Sequence, residues 1–263
     1  MGQKLTYAPV YFVLGQVRFN TLLTVDQHVP AIQDSLRKAG YPDFQRGVTL
    51  NMNFAPGPGQ MPSLEQLPRF QFLNAERTAG FILEQAGMSF QTTDYDTFEP
   101  FLAALLLGLD IVHATTPLSY SERIGIRYLD AVSPNAGDKL EQYLSPTVTG
   151  LMTALTGKRE LVQSVSETRS KEGNTGLLSR AIIYEQENEG VAFPPELQPI
   201  ILNVTDRFKK IKGLYAIIDT DSWLEERQPF DISNLEKQLR VLKDNIGFSF
   251  DLMVTDYARD CWK

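Results

Sequence analysis

The sequence predicts an α+β fold, in which antiparallel or mixed sheets carry packing helices. Three observations lead there. Short runs of β-branched and aromatic residues follow one another in groups instead of alternating one for one with helices. One of these runs, residues 46–54, alternates apolar and polar residues, as half-buried strands do. Between the groups lie a few longer segments whose apolar residues recur with the helical period. The 263-residue chain is 43% hydrophobic and 22% charged, which excludes disorder as its dominant state and allows one large domain or two smaller ones.

Residues 8–19 open with Pro9 and continue as an aromatic and β-branched run, a buried first strand. Residues 26–39 place Val29, Ile32, Leu36 and Ala39 on one helical stripe. Pro30 sits in the first turn, where its missing N–H is harmless, and Gly40 suits the position after the helix. Residues 46–54 alternate cleanly, with Val48, Leu50, Met52 and Phe54 on one face. Residues 55–62, rich in proline and glycine, are a loop. Residues 69–74, 78–85 and 88–93 read as a meander of short strands. Asp94 is the expected cap of a helix carrying Phe98, Phe101, Leu102, Leu105 and Leu109, and residues 123–132 form the next strand.

Ser133-Pro-Asn-Ala-Gly137 is the best boundary, dividing an N-terminal α+β half (1–132) from a C-terminal α+β half (133–263), either as two similar halves or as one continuous domain. A helical stretch over 138–155, interrupted at Pro146, precedes strands at 159–169 and 177–186. A strand at 214–220 leads to Ser233-Asn-Leu-Glu236, a capping-box pattern ahead of a helix aligning Leu235, Leu239, Leu242 and Ile246 and closing at Gly247. Residues 248–262 form a last helix.

Charge narrows the function classes. Thirty-two Asp and Glu against 25 Lys and Arg give a net charge of −7, and the sequence shows no strongly local basic patch. Nucleic acid and anionic membrane are therefore not expected partners, since phosphate affinity comes from Lys and Arg. The N-terminus lacks the apolar core of a signal peptide, and the most apolar stretch, 98–112, is too short to span a bilayer. The single cysteine, Cys261, excludes an internal disulfide and a CxxC zinc site. A cytoplasmic location is expected.

Motifs for catalysis are sparse. The glycine signatures of phosphate and dinucleotide sites and the Gly-x-Ser-x-Gly elbow do not occur. His28 lies in a first helical turn, His113 at a helix end and Cys261 beside Trp262, all better read as structural. Asp219-Thr-Asp221 follows an apolar strand and offers a carboxylate pair that could hold a divalent metal, the one enzymatic alternative. No catalytic residue, metal ligand or cofactor is assigned. Acid-only stretches are a stronger pattern: residues 78–122, 181–206 and 213–226 contain no Lys or Arg. Glu185, Glu187, Glu189, Asp219, Asp221, Glu225 and Glu226, placed at strand ends, are the expected acidic patch for a basic protein partner.

The opening Tyr7-Ala-Pro-Val10 strand, running on to Phe19 and followed by a helix and Gly40-Tyr-Pro-Asp-Phe44, resembles a sporadically distributed family of mostly uncharacterised bacterial proteins. The likeness extends in outline through the Leu-rich closing helix and residues 250–255. Members with a role look like immunity proteins of type VI secretion systems, which bind and neutralise a nuclease effector. The resemblance implies a non-enzymatic, antitoxin-like binding protein acting on a cognate secreted toxin. A structural or oligomeric scaffold is the other alternative, and the sequence does not fix the oligomeric state.

Overall fold

The computed structural model describes residues 6–53, 63–155, 157–198 and 201–263. Its elements are β1 (Val10–Phe19), α1 (Val25–Lys38), β2 (Asp43–Asn53), β3 (Ser63–Leu73), β4 (Ala79–Glu84), β5 (Gly87–Thr92), α2 (Phe98–Thr115), β6 (Tyr120–Val132), β7 (Gln163–Glu172), β8 (Thr175–Gln186), β9 (Gly213–Pro229), α3 (Ile232–Met253) and α4 (Asp256–Trp262). Short helical turns interrupt the connections on either side of β7 and β8. The fold is α+β: nine strands form one antiparallel sheet in the order β2-β3-β4-β5-β1-β6-β9-β8-β7, with helices packed on it. The loop expected at 55–62 lies outside the described residues.

Both sides of the expected boundary at 132/133 enter the same sheet. β6 pairs with β1 and also with β9, in register from Tyr120↔Pro229 to Val132↔Ala216. The two sides are not alike, because the first supplies six strands and the second three. Backbone hydrogen bonding is continuous across the seam.

Helices α1, α2 and α3 cover one face. Val13, Val17, Ile124, Ile126 and Tyr128 of the sheet meet Ile32, Leu36, Leu105, Leu109, Leu239 and Leu242 there, all buried. Each such side chain taken from water contributes about 1.5–3 kcal/mol. Gly108 lets α2 approach closely, since a Cβ at that position would stand 2.3 Å from the Phe81 ring. α2 is 18 residues long and apolar enough to cross a membrane by length and composition, longer than the stretch expected at 98–112. In the fold its Phe101, Leu102, Leu105, Leu109 and Val112 are buried.

Two helix ends differ from expectation. α2 starts after Thr97, so Asp94 lies upstream of the cap position. α3 is capped by Asp231, whose carboxylate accepts from the Asn234 amide at 3.0 Å, and it runs through Gly247 to Met253. Ile246, Ser249 and Met253 continue the buried stripe past the glycine, and that packing outweighs glycine's modest penalty inside a helix.

The opposite face is covered only in part. The connection between β8 and β9 lies over the ends of β1, β6 and β9. It seats Phe193, Leu202 and Phe208 among Tyr11, Phe12, Leu129, Tyr215 and Ile217. This strap is tied down where Tyr11 donates to the Ala192 carbonyl (2.7 Å) and Thr93 to the Asn203 carbonyl (2.5 Å).

Candidate interaction face

Beyond the strap, the sheet face opposite the helices carries charge. The pairing Leu129↔Asp219↔Arg180↔Glu167 runs across β6, β9, β8 and β7, so all four side chains share one face. Arg127, two positions before Leu129 on β6, points the same way, because strand side chains alternate.

Asp219 is fully buried at the centre of this row. Arg127 grips it with both arms of its guanidinium, Nε to Oδ1 and Nη2 to Oδ2, each at 2.7 Å. Arg180 closes from the other side through Nε at 2.9 Å and a further short contact from Nη2. Glu196 descends from the strap to accept from Arg127 Nη2 (2.7 Å) and Arg180 Nη2 (2.6 Å). Burial alone would lower the Arg127 guanidinium, but its bonds to Asp219 and Glu196 outweigh that and raise it above its ordinary value. Burial pushes Glu196 up, while hydrogen bonds from Arg180 and Arg127 win and hold it down at about 2. The cluster is a charged clamp that joins strap to sheet.

Two rows further along the same face, the sheet opens. Gln16, Gly125, Trp223 and Gly176 lie in register across β1, β6, β9 and β8. Trp223 lies on Gly176, where a Cβ would come within 2.3 Å of the indole. Arg123 sits over the same ring, its Cζ 5.9 Å from the centroid, and donates to Gln16 Oε1 at 3.1 Å. It also stands 4.0 Å from Asp221 and 3.6 Å from Glu225. Leu14, Gln16, Arg123, Gly125, Arg127 and Asp221 line a dimple of about 160 Å³. Burial raises the Asp221 carboxyl, against the pull of Arg123 and Arg127.

The seven acidic residues expected to form one patch do not come together. Glu185, Glu187 and Glu189 are exposed at the end of β8, opposite the start of β9. Glu225 and Glu226 are exposed near its other end, eleven positions beyond Leu214, the partner of Glu185. At about 3.3 Å per residue the separation is about 36 Å. Asp219 is not a surface residue at all: β9 continues to Pro229, so the expected strand end at 220 is mid-strand. Asp221 is largely buried in the dimple. Because the oxygens of Asp219 already accept from two guanidiniums, the pair with Asp221 is poorly disposed to hold a metal.

His113 and Cys261 are packed into the fold. His113 Nδ1 accepts from the Leu118 amide at 3.0 Å, its ring stacked on Phe230 at 4.8 Å. Cys261 packs beside the buried cluster of Tyr143, Met253 and Trp262. Arg123, Arg127, Arg180, Glu196 and Trp223 were not selected from sequence. The available signal was the spacing Arg123-x-x-x-Arg127, which puts two arginines on one strand face. No protein-family model, no characterised protein and no solved structure matches this chain.

Proposed function

We propose that this chain is an immunity-type binding protein that neutralises a cognate secreted toxin in the cytoplasm, with a type VI secretion nuclease as its target. In this reading it blocks the toxin's substrate-binding surface, using the uncovered sheet face around Trp223. The observation that carries the reading is the Arg123–Trp223 stack on an otherwise flat strand surface, flanked by charges already held in place. Tryptophan and arginine dominate binding hot spots, and pre-ordered side chains lose little entropy when a partner docks. The resemblance of the opening strand supports the same class, and the exposed Glu225 and Glu226 offer acidic groups to a basic, phosphate-binding surface.

The test is co-expression with the toxin encoded beside this gene, paired with binding kinetics on the purified proteins. Growth is expected to be restored, and Trp223→Ala is expected to weaken binding by about 2 kcal/mol or more. Rescue only when the protein is exported, or unchanged affinity in both Trp223→Ala and Arg123→Glu, would defeat this assignment.

A second reading, a self-associating scaffold, draws on the outward side of α3, where Val241, Phe248 and Leu252 are all exposed. A concentration-dependent mass that Phe248→Glu abolishes, without any toxin present, would favour it.

A further inference from the structure

At the strap end of the sheet, the start of β1, the end of β6 and the close of the strap surround a cavity of about 570 Å³. Arg207, Lys210 and Lys212 line it together with the Ser133–Asn135 turn, and no Asp or Glu does. Contrary to the expectation of no local basic patch, Arg207-Phe-Lys-Lys-Ile-Lys212 places four cations in six residues of a chain carrying −7. Lys209 pairs with Asp206 at 2.9 Å. The other three make no ion pair within 4 Å among the described residues. Asp94 acts on Arg207 and Asp206 on Lys210 only from beyond contact distance, so the three cations together still give a local positive field that an anion can meet.

Arg207 is fixed for this role. Its Nη2 donates to the Ala8 carbonyl at 2.7 Å, and its Cζ lies 4.3 Å from the Phe208 ring centroid. Nη2 also reaches the Val10 carbonyl at 3.5 Å, so Nη2 anchors the side chain while Nε and Nη1 keep their N–H groups for phosphate oxygens. The rest of the lining is mainly apolar, with Tyr7, Pro9, Pro134 and the largely buried Trp262, and Cys261 beside them. The Tyr7 amide donates to the Trp262 carbonyl at 2.9 Å, joining the segment before β1 to α4 in one wall. The volume falls within the usual range for a small-molecule site.

We propose that this cleft binds a small phosphorylated ligand of nucleoside-monophosphate size, its phosphate held by Arg207, Lys210 and Lys212 and its flat apolar body against the Tyr7–Pro134 wall. The site is independent of the toxin-facing surface and does not rest on that assignment.

The chain has two tryptophans, so Trp223→Phe leaves Trp262 as the sole indole reporter. AMP, adenosine and inorganic phosphate are titrated into this variant at low salt, with calorimetry in parallel. AMP is expected to change Trp262 emission with a dissociation constant below about 1 mM, at least tenfold tighter than either adenosine or phosphate. The exposed Lys210→Ala/Lys212→Ala double variant is expected to bind AMP at least tenfold more weakly while unfolding at the parent temperature. Adenosine binding as tightly as AMP would remove the cations from the site, and phosphate binding as tightly would remove the apolar wall. Either result, no AMP binding at 5 mM, or unchanged affinity in the lysine variant overturns the proposal.

Discussion

Replacing Asp219 with Asn keeps the side-chain shape but removes the charge from the centre of the clamp. Arg127 has only 10% of its side chain exposed and Arg180 only 16%, so both would remain largely desolvated. Of the acceptors that survive, Glu196 is 47% exposed and must serve two guanidiniums at once, and Glu167 meets Arg180 only at 3.5 Å. Breaking a buried pair from one side costs about 3–5 kcal/mol, and the remaining Glu196 contact places this variant near the lower end, about 3 kcal/mol. For a chain of this size that lowers the midpoint of thermal unfolding by about 6–12 °C. Urea denaturation provides the free energy, and a cycle with Arg127→Met separates the pair from the orphaned charge. The double variant Asp219→Leu/Arg127→Met is expected to be more stable than Asp219→Asn, because it removes one of the two guanidiniums that lose Asp219 and leaves Glu196 to Arg180 alone. A loss below about 1 kcal/mol in Asp219→Asn, or a double variant worse than the sum of its parts, would show that the clamp does not hold the strap.

Two further outcomes follow from the geometry. Gly176→Ala drives a methyl into the Trp223 indole and is expected to cost about 1–3 kcal/mol and to shift Trp223 emission; a variant of parent stability with unaltered emission would contradict the packing. Burial, reinforced by Asp219 and opposed by Lys243, raises the Asp130 carboxyl to about 7, so the native state retains a proton that the unfolded chain releases near pH 4. Its contribution is therefore full below about pH 4 and lost as pH rises through about 7, at up to about 1.4 kcal/mol per pH unit. Denaturant titrations from pH 4 to 8 should show Asp130→Asn flattening that slope, and an identical slope in the variant would refute it.

Local periodicity made most of the fold legible. The stripe at Val29, Ile32 and Leu36 and that at Leu235, Leu239, Leu242 and Ile246 are the buried faces of α1 and α3. The meander from β3 to β5 followed from short alternating runs. Strand length was less legible. β9 continues past Thr220 because Ser222 and Leu224 remain buried on the helix side while Asp221 and Trp223 alternate outward, a pattern that a polar Asp-Thr-Asp-Ser run disguises as a strand end. Strand order was not legible at all, since the pairing of β6 with both β1 and β9 is decided by tertiary packing.

That missing link also explains why the seven acidic residues do not form the single patch expected of them. Charge listed along a chain says nothing about which residues become cross-strand neighbours, and in a sheet those neighbours decide the chemistry. Asp219 looked like one member of an acidic run, but β8 and β6 bring arginines 39 and 92 residues away onto the same carboxylate. The acidic stretch 181–206 likewise contributes Glu196 to a bond with those arginines instead of to a free surface. The basic run at 207–212 was hidden for the opposite reason: the whole-chain charge of −7 averages it away, while the fold keeps carboxylates out of the cleft it lines. Net charge thus predicts the far field a partner meets, and register decides the contacts it finds on arrival.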